Sequence, residues 1–233
     1  MFIFLFPFTI MIDELLKGDI MNHISTFFKD DLSVSKESTG RVFLKGILFA
    51  FLLIIAFDIS NYTPDHPLWS VVSVICLVVI IAIMPYFGIH FISLKALKVS
   101  DLFIVVAALL FMFGLDNAFT YFIDDNNVND AGIDHDFHGV PLWASIISIA
   151  IVPAIAEELV TRGIILRLFF RHHLFIGMLV SSAIFAYLHE SDSLIGYTPY
   201  FYAGLIFSLV YLKTKRIEAA MLVHFLNNFL GTI

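Results

Sequence analysis

The chain has 233 residues, 60% of them hydrophobic and only 14% charged, a balance that excludes an ordinary soluble globular domain. Its formal net charge of −7 does not mark an acidic soluble protein, because the charges sit in short clusters between long apolar runs. That is the pattern of lipid-embedded segments joined by solvated loops. The single cysteine, Cys76, lies inside an apolar run and has no intrachain disulfide partner.

A helix needs about 20 mainly apolar residues to cross the hydrocarbon core. In chain order the predicted spans are Val42–Ser60, Leu68–Leu94, Leu102–Ile123, Val140–Phe170, Leu174–His189, Tyr197–Leu212 and Ile217–Ile233. The expected fold class is therefore all-α, a polytopic transmembrane helix bundle with seven long spans. The opening run Met1–Ile12 is apolar but short and contains Pro7, so it is a candidate eighth span. It lacks the basic region and small-residue cleavage site of a signal peptide, and Met11 and Met21 are alternative starts. Residues 1–41 form an N-terminal segment, that short run followed by a mixed-charge stretch. Residues 42–233 form a single membrane domain whose polar chemistry is concentrated in 140–233. No internal repeat or low-complexity linker interrupts it.

Basic residues fall in or beside alternate loops. Lys17, Lys29, Lys36, Arg41 and Lys45 precede or open the first span, and Lys95 and Lys98 follow the second. Arg162, Arg167 and Arg171 close the fourth, and Lys213, Lys215 and Arg216 close the sixth. The loops Asn61–Pro67, Asp124–Gly139 and Glu190–Gly196 contain none. The positive-inside rule makes the basic loops cytoplasmic and puts the C-terminus outside. It also accounts for the basic clusters without a nucleic-acid partner. The loop Asp124–Gly139 fits no EF-hand spacing and reads as a solvated acidic loop.

Ionisable groups at lipid depth are costly and usually face the bundle interior. Glu157 and Glu158 stand together in an otherwise apolar helix, one turn after Pro153. Glu158 and Arg162 are spaced i,i+4 and can pair on one face, whereas Glu157 points about 100° away with no local partner. A helix-end salt bridge explains Glu158 and Arg162 but leaves Glu157 without a structural reason. His189 ends the fifth span; alone, such a histidine is more often a capping residue, and its neighbour Glu190 reads as a solvated loop residue. In the last span His224 and Asn228 share a face at i,i+4, while Asn227, on another face, suits a helix-bridging role. Asp116, deep in the third span, is expected to pair with a neighbour. Counting about 1.5 Å per residue puts Glu157 roughly 15 Å, His224 roughly 10 Å, Asn228 roughly 16 Å and His189 roughly 22 Å from the cytoplasmic loops. Groups from three helices at similar depths fit one shared cavity.

The ordered set Glu157-Glu158-x-x-x-Arg162, Phe185-x-x-x-His189 and His224-x-x-x-Asn228 resembles the signature of the CPBP (CAAX protease and bacteriocin-processing, or Abi) family of intramembrane proteases. Residues 202–208 resemble the family's glycine-containing helix, with Gly204 and Ser208 in small-xxx-small spacing. The match covers about residues 140–233. The resemblance implies an intramembrane endopeptidase acting on a membrane-associated peptide or protein, by CAAX-type, bacteriocin or pheromone-precursor processing, in a bacterial membrane and from a cavity on the cytoplasmic side. On that reading Glu157 activates water, His189 positions it, and His224 and Asn228 form an oxyanion hole, with Glu158 and Arg162 in support. No cofactor is favoured, but Zn²⁺ held by Glu157, His189 and His224 is the alternative, although no local H-E-x-x-H pattern is present. Two rivals stay open, a non-catalytic immunity or scaffold protein and a proton-coupled carrier.

Overall fold

The computed structural model describes residues 22–29, 34–122 and 128–232; the candidate span at residues 1–12 lies outside them. All seven predicted apolar segments are helical, and no strand occurs among the described residues. Helix α1 (Thr39–Asp58) continues through a 3₁₀ turn to Tyr62. Helix α2 (Leu68–Ile83) is followed by a 3₁₀ turn, Met84–Phe87, and α3 spans Val99–Phe122. A short polar helix, α4 (Val128–Asp136), precedes the long α5, which runs from Leu142 to Phe169. Helices α6 (Leu174–Tyr187), α7 (Thr198–Thr214) and α8 (Ile217–Thr232) complete the bundle.

Five of these are long and apolar enough to cross a membrane: Thr39–Tyr62, Leu68–Phe87, Val99–Tyr121, Leu142–Phe169 and Ile195–Thr214. Helices α6 and α8 are shorter, and α6, with 14 residues, reaches only about 21 Å at 1.5 Å per residue. Burial singles out α5 as the axis. It is 61% buried, against 11–44% for the other four long helices, whose outward faces carry exposed Phe, Leu, Ile and Val as lipid contact requires.

Each helix turns a defined stripe inward. On α1 the buried positions Val42, Gly46, Phe49, Leu53 and Ala56 recur at alternating four- and three-residue steps, one face of a 3.6-residue helix. Gly46 lets the Phe169 ring at the end of α5 pack directly on α1, where a Cβ would force that ring to shift. Helix α2 presents Ser70, Ser73 and Leu77, and Ser73 donates to the Ala56 carbonyl of α1 at 2.5 Å. Such small residues let helices approach closely where no hydrophobic force drives them together.

Two sequence expectations change here. The apolar run to Leu94 is not all helix: Pro85 and the left-handed Gly88 (φ 76°) end it. Beyond the turn, Ile89 and Phe91 are buried, and Phe91 lies against Gly163 of α5. Hydropathy there reports a buried loop rather than more span. Arg162 and Arg167, counted with the basic loop, are instead sealed inside the bundle at 0% and 2% exposure, with Arg167 over the Tyr211 ring. Only Arg171 lies at the end, donating to the Glu37 carbonyl and the Thr39 hydroxyl.

The basic clusters meet at one end of the bundle. Lys45 bonds Glu37 and the Phe87 carbonyl, and His90 N–H donates to the Val34 carbonyl. Arg216 donates to the carbonyls of Ser93 and Lys95, and Glu218 accepts from Ser93 N–H at 2.5 Å. The alternation seen in sequence thus corresponds to one physical face.

The outlying α3 is fastened to α7 by the Tyr202 hydroxyl, which donates to Asp116, the pairing expected for that carboxylate. Asp116→Ala should lower stability by roughly 1–2 kcal/mol, as for interhelical polar bonds in membranes, read as a lower melting temperature in detergent. An unchanged melting temperature would mean that α3 docks without this bond.

Candidate active site

The site grows out of α5. Its middle, Val152–Glu158, is ordinary α-helix, but Ile146–Ile151 before it and Leu159–Phe169 after it are wound as π-helix, a form that concentrates at functional sites. Pro153, which has no N–H, lies at the start of the α-helical middle. Near it the Asn228 side chain donates to the Ile149 carbonyl, Nδ2 to O at 3.1 Å. At the other end, Thr161 Oγ1 donates to the Glu157 carbonyl at 2.5 Å. The short α-helical piece that carries both glutamates is therefore held at each margin by a side chain.

The two carboxylates, one residue apart, meet different surroundings. Glu158 is sealed: its Oε1 accepts from Arg162 Nη1 at 3.0 Å and from His224 Nδ1 at 3.0 Å. Arg162 also donates to Thr161 Oγ1 and, through Nη2, to the Gly204 carbonyl at 2.8 Å. Its guanidinium lies over the rings of Phe185 (4.6 Å) and Phe207 (5.3 Å), whose electron-rich faces favour a desolvated cation. Glu157 faces His224 Nε2 from 4.0 Å and keeps 20% of its side-chain surface accessible; the Oε2 atom of each glutamate is buried without a hydrogen-bond partner. Glu158 was expected to support the pair with Arg162 and orient Glu157; it also fixes the ring of His224.

That bond sets a tautomer. A carboxylate only accepts, so His224 carries its proton on Nδ1 and turns Nε2 toward Glu157. Phe207 stacks on the imidazole (4.8 Å, 15°) and Phe185 meets it edge-on at 5.6 Å. His189 is placed in a similar way: Nδ1 donates to the Phe185 carbonyl at 2.8 Å, leaving Nε2 as the free nitrogen. It packs on the same Phe185, 4.7 Å between ring centres. Phe185 thus stands between the two histidines, which share no direct bond.

Glu157, Glu158, Arg162 and His224 come together as one polar cluster, with His189 beyond Phe185 and Asn228 one turn further along α8. Asn227, assigned a bridging role, bonds the side chain of Asn228 at 3.4 Å, while the bond between helices is made by Asn228. Glu190, left out as a loop residue, lines with His189, Tyr187, Leu188, Ser191, Asp192 and Tyr197 an open cavity of about 440 Å³. This cavity lies at the end of α6 away from Arg171, and Glu157, His224 and Asn228 do not line it. Phe207 and Tyr200, which stacks on His189, carried no signal in the sequence, since aromatic residues are common throughout this chain.

The metal alternative needs Glu157, His189 and His224 around one point. Both histidines have the Nδ1 partner typical of metal ligands, yet among the described residues no three His, Cys, Asp or Glu side chains are gathered closely enough to hold an ion. As arranged, the donor set does not fit a metal.

Gly204 is the closest approach of α7 to the cluster: a Cβ would meet Ser182 Cα at 2.9 Å and Arg162 Nη2 at 3.1 Å. Gly204→Ala must part α6 from α7 and should cost about 1–3 kcal/mol, seen as a lower melting temperature together with weaker activity. Asn228→Ala removes a donor from the Ile149 carbonyl and should cost about 0.5–1.5 kcal/mol. A stable but inactive Asn228→Ala variant would instead place its whole importance in the chemistry.

Comparison with known proteins identifies the family. The family described as Type II CAAX prenyl endopeptidase Rce1-like matches residues 139–230, the stretch that holds every residue of the cluster. The Bacillus subtilis (strain 168) protein named "Putative membrane peptidase YdiL" is 31% identical over 180 residues, covering 72% of each chain. No solved structure matches the chain. With motifs, buried cluster and relatives in agreement, this chain is an integral multi-pass membrane protein that belongs to the Rce1-like, CPBP family of membrane peptidases.

Proposed function

We propose that the protein is an intramembrane endopeptidase that hydrolyses a peptide bond in a membrane-associated peptide or protein, with Glu157 as the base that activates water. One observation supports this reading: of two adjacent carboxylates, Glu158 is fully buried against Arg162 and His224, while Glu157 faces His224 Nε2 and keeps a fifth of its side-chain surface accessible. A base must be able to reach its water. Of the two, only Glu157 is accessible.

The chemistry follows from the hydrogen-bond directions. A water beside Glu157 Oε2 and His224 Nε2 gives up a proton to the carboxylate as its oxygen attacks the scissile carbonyl. The developing oxyanion needs donors already aimed at it. The Asn228 amide has a second N–H beyond the one given to Ile149, and His224, with Nδ1–H held by Glu158, donates from Nε2 once that nitrogen has taken a proton from solvent, which it keeps through the cycle. His189 Nε2 would position the water or the peptide on the cavity side. Glu157 then returns its proton to the departing amine. Every proton taken is given back, and no metal enters the sequence.

The substrate would reach the site from the membrane, by the cavity that His189 lines. Its class is that of the family: a prenylated C-terminal segment, a bacteriocin leader or a pheromone precursor. Comparing peptides released by cells carrying the native chain with those from cells carrying Glu157→Gln would select among them.

Glu157→Gln should reduce kcat/KM by about 10²–10⁴, the usual worth of a general base, with an unchanged melting temperature. Glu158→Gln, by contrast, should lower the melting temperature, because it unpairs a buried guanidinium. Full activity of purified Glu157→Gln protein would refute the assignment. Activity should also survive chelation, and elemental analysis should find no stoichiometric zinc; loss on chelation with recovery on adding Zn²⁺ would require the metal alternative.

A further inference from the structure

His189 stands beyond the last residue of α6, so helix geometry does not set its direction. Its backbone N–H closes on Ala186 and its Nδ1 on the Phe185 carbonyl. Those bonds choose the tautomer, but one bond at one nitrogen leaves the imidazole plane free to tilt about it. The ring that defines the plane is Tyr200, stacked at 4.1 Å and 19°, whereas Phe185 meets the same imidazole at 51°.

Tyr200 lies on α7, a helix that contributes none of the expected catalytic groups. Yet Tyr200, Gly204 and Phe207 recur at i, i+4 and i+7, one stripe of that helix. Along it Tyr200 stacks on His189, the Gly204 carbonyl accepts from Arg162, and Phe207 stacks on His224. We propose that Tyr200 is a positioning residue for His189: its ring holds the imidazole plane, so that Nε2 keeps one direction at the cavity. The stripe as a whole makes α7 the template that orients both histidines. This inference rests on the role given to His189 above.

The test separates ring from volume and positioning from chemistry. Tyr200→Phe keeps the stacking ring; Tyr200→Leu and Tyr200→Met remove it at similar bulk, and whichever retains the native melting temperature is used. In full-length protein with ¹⁵N-labelled histidine in micelles, native and Tyr200→Phe chains should show His189 in a single tautomer with Nδ1 protonated. The non-aromatic variant should keep that tautomer, which the Phe185 carbonyl sets, but show shifted and broadened His189 ring signals as the plane is released. On a peptide substrate, kcat should fall about tenfold in the non-aromatic variant, the scale of a lost ring-stacking contact. KM should stay within about twofold, and Tyr200→Phe should remain near native. In a His189→Ala background the Tyr200 change should add nothing.

An unaltered His189 spectrum without the aromatic ring would overturn the proposal. So would an equal loss of kcat in the His189→Ala background, or a Tyr200→Phe chain as impaired as the non-aromatic one. Failure of the catalytic reading looks different: Glu157→Gln or His189→Ala would cleave at the native rate, while the His189 spectrum still responded to Tyr200.

Discussion

The structure depends on one carboxylate, that of Glu158, buried at lipid depth between a guanidinium and an imidazole. Removing such a charge from water costs several kcal/mol per ion, repaid only if geometry and further bonds are good. Here Arg162 pairs with Glu158, leans on Thr161, donates to the Gly204 carbonyl and lies over two phenylalanine rings. His224 takes the remaining approach to the same oxygen. Four helices are thereby tied to one side chain: α5 carries the pair, α6 brings Phe185, α7 brings Gly204 and Phe207, and α8 brings His224.

This arrangement separates stability from reactivity over a single peptide bond. Successive residues on a helix point about 100° apart, enough to put Glu158 in the packed interior and leave Glu157 at an accessible edge. The first holds Arg162 and His224 in the packed interior. The second keeps part of its surface accessible, opposite a histidine whose other nitrogen is already committed. A lone buried glutamate would have to satisfy both demands, and pairing it with Arg162 would quench it as a base.

Backbone irregularity serves the same end. The wider turns on either side of Val152–Glu158 would leave main-chain groups without their usual partners, which is tolerable at membrane depth only where protein supplies replacements. Asn228 and Thr161 add side-chain bonds of this kind, to the Ile149 and Glu157 carbonyls. Asn228 thus has a structural duty next to its proposed part in the oxyanion hole, and the two are compatible because a side-chain amide has two N–H donors. At the basic end, the loop after Gly88 does comparable work, tucking Ile89 and Phe91 under α5 while Arg216 and Glu218 hold its backbone.

The amino-acid sequence by itself determined the membrane class, the seven helical segments, the shared face of the basic loops and the pairing of Glu158 with Arg162. These follow from hydropathy, charge alternation and helical spacing, all properties of neighbours along the chain. The motif order also brought Glu157, His189, His224 and Asn228 forward as a set. Only the tertiary structure decided which partner each of them meets. It turned His224 onto Glu158, gave Asn228 to the Ile149 carbonyl, placed Phe185 between the histidines and set His189 at an open cavity at the end of α6. It also ended the second span early and sealed Arg162 and Arg167 inside. None of this is written in local spacing, because rotation about a helix axis, the close approach permitted at Gly204 and the stacking of Tyr200 and Phe207 arise from packing between helices far apart in sequence.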